Sequence, residues 1–300
     1  MNNLKYFSFL ISFFFLFQSV AQDSTLFSSL IHKVKESIIF YNELSPFGKE
    51  LFALEKLELS EKELNDLNEF NDDLSDSIDV FTLQWIYQNR IENALSQLVI
   101  HPDFIKRDVY KSLNEYIDVV VSDDRKLYNF SFPENTGGSY KSDISLMFYS
   151  GLSHPLIMNQ NKIEDAFNPY FVFNVDGYYN IDSLNTSEGV KYLLQGGVQS
   201  CSKCYTNYIS LVKFDGFKFV EEFSFSTFLR DFDTEILFDP LTKTINTVYK
   251  TDDLTQTCTC KASVNNAIND EIITDTFERV SICSCNFVFN GKTFIQSVKE

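Results

Sequence analysis

Six cysteines are the residues whose type and spacing first suggest chemistry. All lie in the last hundred residues, in three close pairs: Cys201 and Cys204, Cys258 and Cys260, Cys283 and Cys285. An even number of thiols in a chain that leaves the cytoplasm reads as a disulfide framework. Facing positions on two antiparallel strands have residue numbers with a constant sum. One register therefore pairs Cys258 with Cys285 and Cys260 with Cys283, whereas closing Cys-x-Cys on itself demands a bent backbone. Cys201 and Cys204 are expected to close locally, at the tip of a hairpin joining residues 191–194 to 207–214. Two alternatives stand beside this reading. Four thiolates in Cys-x-Cys…Cys-x-Cys can hold zinc tetrahedrally, and Cys201-x-x-Cys204 can be a redox centre. The zinc spacing is tighter than usual, and the redox motif lacks the strand–helix setting that lowers a thiol pKa.

Export is what makes disulfides the leading expectation. Lys5 precedes an apolar run from Tyr6 to Phe17, and Ser19 and Ala21 are small residues two apart. This predicts a signal peptide over residues 1–21, cleaved between Ala21 and Gln22, with a periplasmic or secreted product. The apolar run is about a dozen residues, short of the roughly 20 that a spanning helix needs. No stable membrane insertion is expected after cleavage.

The remaining chemistry is sparse. His32, His101 and His154 form no metal-ligating pattern, and each is expected to be structural. No nucleophile elbow, phosphate-binding loop or dinucleotide fingerprint is present. The acid-rich stretch Glu61–Asp79 has no calcium-loop spacing and reads as a solvated helix face. A net charge of −17 excludes nucleic acid as a natural partner and disfavours anionic membrane surfaces. Neither a cofactor nor a metal ligand set is assigned. The chain has 31 Phe and 15 Tyr but a single Trp. Codon bias in a low-GC genome accounts for this better than an aromatic ligand platform does.

Two compositional halves must position whatever site exists. Residues 22–115 read as helical, with Leu26, Phe27, Leu30, Ile31, Val34, Ile38 and Tyr41 at three- and four-residue steps. Ser45-Pro46 reads as an N-cap and first-turn proline. Ser60-Glu61-Lys62-Glu63 reads as a capping box opening a stripe through Leu64, Leu67, Phe70, Leu74, Ile78, Phe81 and Trp85, with a break near 75–79. A further stripe, Ile91 to Leu98, ends before His101-Pro102. Residues 116–300 read as antiparallel β. Turns are expected at Ser122–Arg125, Asp176-Gly177, Asp215-Gly216, Asp239–Thr242 and Asn290-Gly291. Gly196-Gly197 and Thr136–Ser139 read as turns or bulges. The segments 211–220 and 286–295 align as weak copies of one hairpin. The fold class is α+β: a helical N-terminal region, then a large antiparallel β-meander, curved or partly propeller-like.

The helical start, Val121-Ser-Asp-Asp-Arg-Lys-Leu127, Thr136-Gly-Gly-Ser139 and the closing Phe-[Asp/Asn]-Gly-x-x-Phe hairpins resemble uncharacterised exported proteins of Bacteroidetes-type bacteria. The resemblance covers residues 90–300 and implies no activity. The expected role is a non-catalytic, exported binding protein whose β surface meets a small ligand or an envelope protein. The rival expectations are an exported hydrolase using acidic residues, or a cysteine-based metal or redox protein.

Overall fold

The computed structural model describes residues 25–70, 76–151, 156–159, 177–202, 204–230, 235–251, 272–274 and 279–297. Residues 1–21, Cys258, Cys260 and the hairpin expected over 171–179 fall wholly or largely outside these. The chain divides into two units, at Ile117 and Asp118. Helices make the first and antiparallel sheets the second, the α+β arrangement expected. Among the described residues, no helix is long and apolar enough to cross a membrane.

In the first unit, helix α1 (25–43) buries Phe27, Leu30, Val34, Ile38 and Tyr41 of the stripe read from the sequence, while Leu26 at its start is 53% exposed. Helix α2 (Glu61–Phe70) opens on the expected capping box. The Ser60 amide donates to Glu63 at 2.8 Å, and the Glu63 amide donates back to Ser60 Oγ at 3.3 Å. Helix α3 (Val80–Val99) is capped by Asp79, which accepts from the Thr82 amide at 2.9 Å. It stops before His101-Pro102, and the His101 imidazole accepts from the Asp103 amide. Helix α4 (Val109–Leu113) is short.

One local expectation is corrected here. Pro46 does not open a helix. It sits in a turn closed by the Gly48 amide on the Ser45 carbonyl at 2.8 Å, because strand β1 (Phe52–Ala53) follows too soon. The stripe from Leu64 to Trp85 is interrupted within the stretch where the break was expected, between α2 and α3. Strand β2 (Ser77–Ile78) pairs with β1 and resets the helical phase, leaving Phe81 56% exposed. The pairing of Phe52 with Ile78 and of Ala53 with Ser77, far apart in sequence, leaves no mark on local periodicity.

Among the described residues the second unit is antiparallel β, as expected, with its strands divided among three sheets. The first contains β3 (Asp118–Val121), β4 (Leu127–Pro133), β5 (Asp143–Tyr149) and β6 (Leu156–Asn159), in that order. The second contains β7 (Asn180–Thr186), β8 (Gly189–Cys201), β9 (Cys204–Phe214) and β10 (Phe219–Arg230), also in chain order. The third contains β11 (Glu235–Asp239), β12 (Thr244–Thr251), β13 (Ile272–Thr274), β14 (Arg279–Phe289) and β15 (Phe294–Gln296). There β12 lies between β11 and β14, and β13 and β15 both pair with β14.

Strand alternation gives the middle sheet two apolar-capable faces. Leu193, Ile209 and Leu211 pack on Ile236, Ile245, Cys285, Phe287 and Phe294 of the third sheet. Tyr192, Leu194, Tyr208 and Val212 pack on Leu127, Met147 and Tyr149 of the first. The aromatic residues are largely core material. Phe223 meets Phe287 and Phe294 at 5.2 and 5.4 Å between ring centroids, and Phe225 meets Phe287 at 5.1 Å.

The weak repeat is a geometric repeat. In the β9–β10 turn, Asp215 Oδ1 accepts from the Phe217 and Lys218 amides, both at 2.8 Å. In the β14–β15 turn, Asn290 Oδ1 accepts from the Lys292 and Thr293 amides, both at 2.9 Å. Gly216 and Gly291 both have positive φ, at 102° and 93°. A side-chain carbonyl that caps its own turn requires Asp or Asn at this position.

Candidate functional site

Cys201 and Cys204 form a disulfide at the β8–β9 tip, with Cα atoms 4.7 Å apart, as the spacing predicted. Cys285 is also disulfide-bonded and buried, facing Thr247 across β12–β14. It is therefore no free thiolate for a Cys₄ zinc site. The expected pairings of Cys285 with Cys258 and of Cys283 with Cys260 involve residues outside the described side chains. Among the described residues, no group of three or more His, Cys, Asp or Glu side chains can hold a metal ion.

The chemistry-bearing side chains of the β unit lie at the opposite end of the sheets from the Cys201–Cys204 tip. Because β8 and β9 run antiparallel with Lys191 opposite Lys213, the β7–β8 and β9–β10 turns share one end. Three further turns join them. The β14–β15 turn reaches Glu188 and Lys191 through Lys292. The β11–β12 turn is tied in by the Phe289 amide on the Lys243 carbonyl at 3.0 Å. The β3–β4 turn is tied in through Asp124, whose Oδ2 accepts from the Tyr192 hydroxyl at 2.9 Å.

At this end the acids accept hydrogen bonds from their own turns or from lysines, with Asp215 and Glu188 still exposed to solvent. Asp124 Oδ1 accepts from Ser122 Oγ at 2.7 Å and from the Lys126 amide at 3.1 Å. Burial, with the Asp124 carboxylate beside it, pushes the Tyr192 phenol far above its usual pKa. The two amides on Asp215, and Thr242 and the Leu241 amide on Asp239, hold those carboxyls below their usual range. Glu188 is likewise held down, chiefly by Lys213 and Lys191. Asp215 and Asp239 are acceptors that fix their own turns, whereas Glu188 is the acceptor shared by lysines.

Lys191 is the buried centre of the cluster, with 0% of its side chain exposed. It donates to Glu222, to Glu188 at 3.3 Å and to the Lys292 carbonyl at 2.6 Å. A register shift between Glu221 and Phe223 leaves Glu222 as the extra residue of a β-bulge, which is what aims it at Lys191. Beyond this layer, Phe217 is 67% and Leu241 93% exposed at two turn tips. Arg125 and Lys243 are exposed at neighbouring tips.

Asp182 departs from this pattern. Burial raises its pKa, against the amides of Gln195 at 3.0 Å and Asn180 at 2.7 Å, with Asp123 adding repulsion. An acid whose folded pKa is raised holds its proton longer in the native state. Its contribution to stability is therefore greatest below the unfolded pKa and is lost as pH climbs through the folded value. Both amides donate to the same oxygen, Oδ2, so an Asn carbonyl there can accept both. Asp182→Asn is expected to raise the thermal midpoint at neutral pH but not near pH 3. The gain should stay below about 1 kcal/mol, because half-solvated groups are well screened. Melting curves at the two pH values check the sign.

The helical unit carries a different feature, a groove of about 520 Å³ between α1 and α3. Phe40 stacks on Tyr87 at 4.3 Å, and Arg90 lies 5.0 Å over the same Tyr87 ring. The Arg90 fork is held by Glu63, with Nε to Oε1 at 2.5 Å, and the pair keeps the Glu63 carboxyl low. Lys33, Asn93 and Gln97 stand at the rim. Sequence reasoning reached neither the groove nor the turn cluster. A pattern search finds short spacings, whereas the turn cluster joins residues about a hundred positions apart, as Lys191 and Lys292 are.

No family model matches the chain, and neither a curated protein nor a solved structure matches it.

Proposed function

We propose that the chain is an exported, non-catalytic binding protein that engages a partner through the turn-bearing end of its β unit. The convergence of turns from all three sheets carries this reading. It sets exposed Phe217 and Leu241 above a rigid, ion-paired base. Loops held by a stiff scaffold are where binding residues concentrate. The signal-peptide pattern, and the resemblance of the turns to exported Bacteroidetes-type proteins, support a periplasmic or secreted setting and an envelope partner. The engagement of Asp124, Asp215, Asp239 and Glu188 in turns and ion pairs favours binding over an acid-based hydrolase.

A photo-crosslinker placed at 217 or 241 in the intact cell envelope tests this, with position 205 at the far end as control. Tyr205 is 49% exposed, so it reports non-specific labelling fairly. A discrete adduct from 217 and 241 but not from 205 is the expected result. Equal labelling from all three rejects the reading.

The groove favours a second reading, a small ligand held between α1 and α3, since its volume suits one. A thermal-shift screen of small polar compounds checks it. Hits should vanish in a Lys33→Ala, Asn93→Ala double variant; hits that persist there place the ligand elsewhere.

A further inference from the structure

We infer that the groove between α1 and α3 is a saccharide site, built for a neutral mono- or disaccharide. The inference rests on the small-ligand reading of that groove and adds the ligand's chemistry. The two helices run antiparallel, since Phe40 stacks on Tyr87 towards one end and Phe27 meets His101 at the other. Ser37 on α1 therefore faces the stretch of α3 that carries Asn93 and Gln97. Ser37 is the residue that calls for a ligand. It lines the groove, is only 9% exposed, and its hydroxyl has no hydrogen-bond partner among the described residues. A covered hydroxyl without a partner is costly until something enters to satisfy it. Asn93 and Gln97 lie one turn apart on one face of α3, and their side-chain amides also lack partners among the described residues. Ala94 beside them is small and buried, which leaves the floor of the groove open.

Charge selects against an ionic ligand. Lys33, Glu36 and Arg90 are the charged residues of the lining, and Glu63 holds Arg90 through Nε at 2.5 Å and Nη2 at 3.2 Å. The formal charges of these four cancel, so neither an anion nor a cation meets an uncompensated field. Glu36 is further engaged by His32 at 3.0 Å on the exposed rim. The groove offers neutral hydrogen bonding instead. A serine hydroxyl and a side-chain amide each donate and accept, which is the dual character of a sugar hydroxyl. The apolar ring face of a sugar also needs an aromatic wall, and Phe40 and Tyr87 provide one. Tyr87 already has Phe40 stacked on it and Arg90 over its ring, so a flat aromatic ligand finds no slot between them. The volume of about 520 Å³ lies within the roughly 300–1,000 Å³ of small-ligand pockets.

The test is isothermal titration calorimetry of the full mature chain with glucose, N-acetylglucosamine, cellobiose and diacetylchitobiose. Glucuronate and glucosamine are the matched charged arms. At least one neutral sugar is expected to bind, with an affinity unaffected by added salt. Ser37→Ala should weaken that binding about fivefold, the loss of one hydrogen bond. The same substitution should leave the thermal midpoint equal or higher, because alanine favours the helix and an unpaired hydroxyl is removed. A merely structural serine does not give that combination. Gln97→Ala, at the rim, should weaken binding by a similar factor. Binding undiminished in both variants, tighter binding of glucuronate or glucosamine than of every neutral sugar, or no binding of any neutral sugar each overturns the inference. Should the sugars fail while other compounds give thermal shifts that vanish in Lys33→Ala, Asn93→Ala, the saccharide inference falls and the small-ligand groove stands. The absence of any compound sensitive to that double variant overturns both.

Discussion

Lys191→Met is expected to be the most damaging single substitution in the β unit, costing about 3–5 kcal/mol. The apolar stem is replaced almost isosterically, so the loss is electrostatic. Glu222 keeps its charge beside the covered site without its cation, Glu188 loses one of three partners, and the Lys292 carbonyl loses its donor. The effect should also be non-local. Lys191 is on β8 and Lys292 is in the β14–β15 turn, so the same side chain ties the middle sheet to the third. Thr293 Oγ1 donates to the Glu222 carbonyl at 3.0 Å and forms the neighbouring tie. Urea unfolding measures the cost. Adding Glu222→Gln to Lys191→Met should recover part of it, since the orphaned charge goes. A double variant as unstable as the sum of its singles would show that the pair does not act as a unit.

Gly196→Ala is expected to be the second large effect, about 2–4 kcal/mol from overpacking and a lost buried hydrogen bond. Gly196 is not in a turn, contrary to the reading of Gly196-Gly197 from sequence. It lies inside β8, directly opposite Tyr208 of β9. A Cβ there would overlap the Tyr208 ring. The ring cannot step aside cheaply. Its hydroxyl donates to the Gly177 carbonyl, and its edge packs on Tyr178 with centroids 5.6 Å apart. Gly197→Ala should cost less, because its Cβ would first meet the Asn207 side-chain oxygen at 2.8 Å, the end of a side chain that can turn away. Near-equal thermal midpoints for the two variants would refute the role assigned to Tyr208.

These two sites show why part of the molecule was not legible in sequence. A glycine pair looks alike in a turn and under an aromatic ring. Only the β8–β9 register puts a tyrosine across from one of them. Likewise, a lysine at position 191 gives no local sign of burial. Strand alternation says that it shares a face with Leu193, but not that a bulge will deliver Glu222 to that face. The polar layer between the first and middle sheets is similar. Asn129, Ser131 and Ser145 are buried and hydrogen-bonded together, yet in sequence they look like solvent-facing alternates on β4 and β5.

The features set by sequence alone are those closed within a few residues. The capping box at Ser60–Glu63, the helix stop at His101-Pro102 and the matched turns at Asp215-Gly216 and Asn290-Gly291 are of this kind. So is the Cys201–Cys204 bridge, whose hairpin brings the thiols together whatever else the chain does. Each depends on backbone geometry and an adjacent side chain, so the local energy decides it. Tertiary structure decided the rest: the division of the strands into three sheets, the two-stranded β1–β2 interruption of the helical unit, and the gathering of the turns at one end. The physical reason is that an apolar face specifies that it must be covered but not by which partner. That choice is made by pairings across tens of residues, where loop-closure entropy and packing weigh more than local preference.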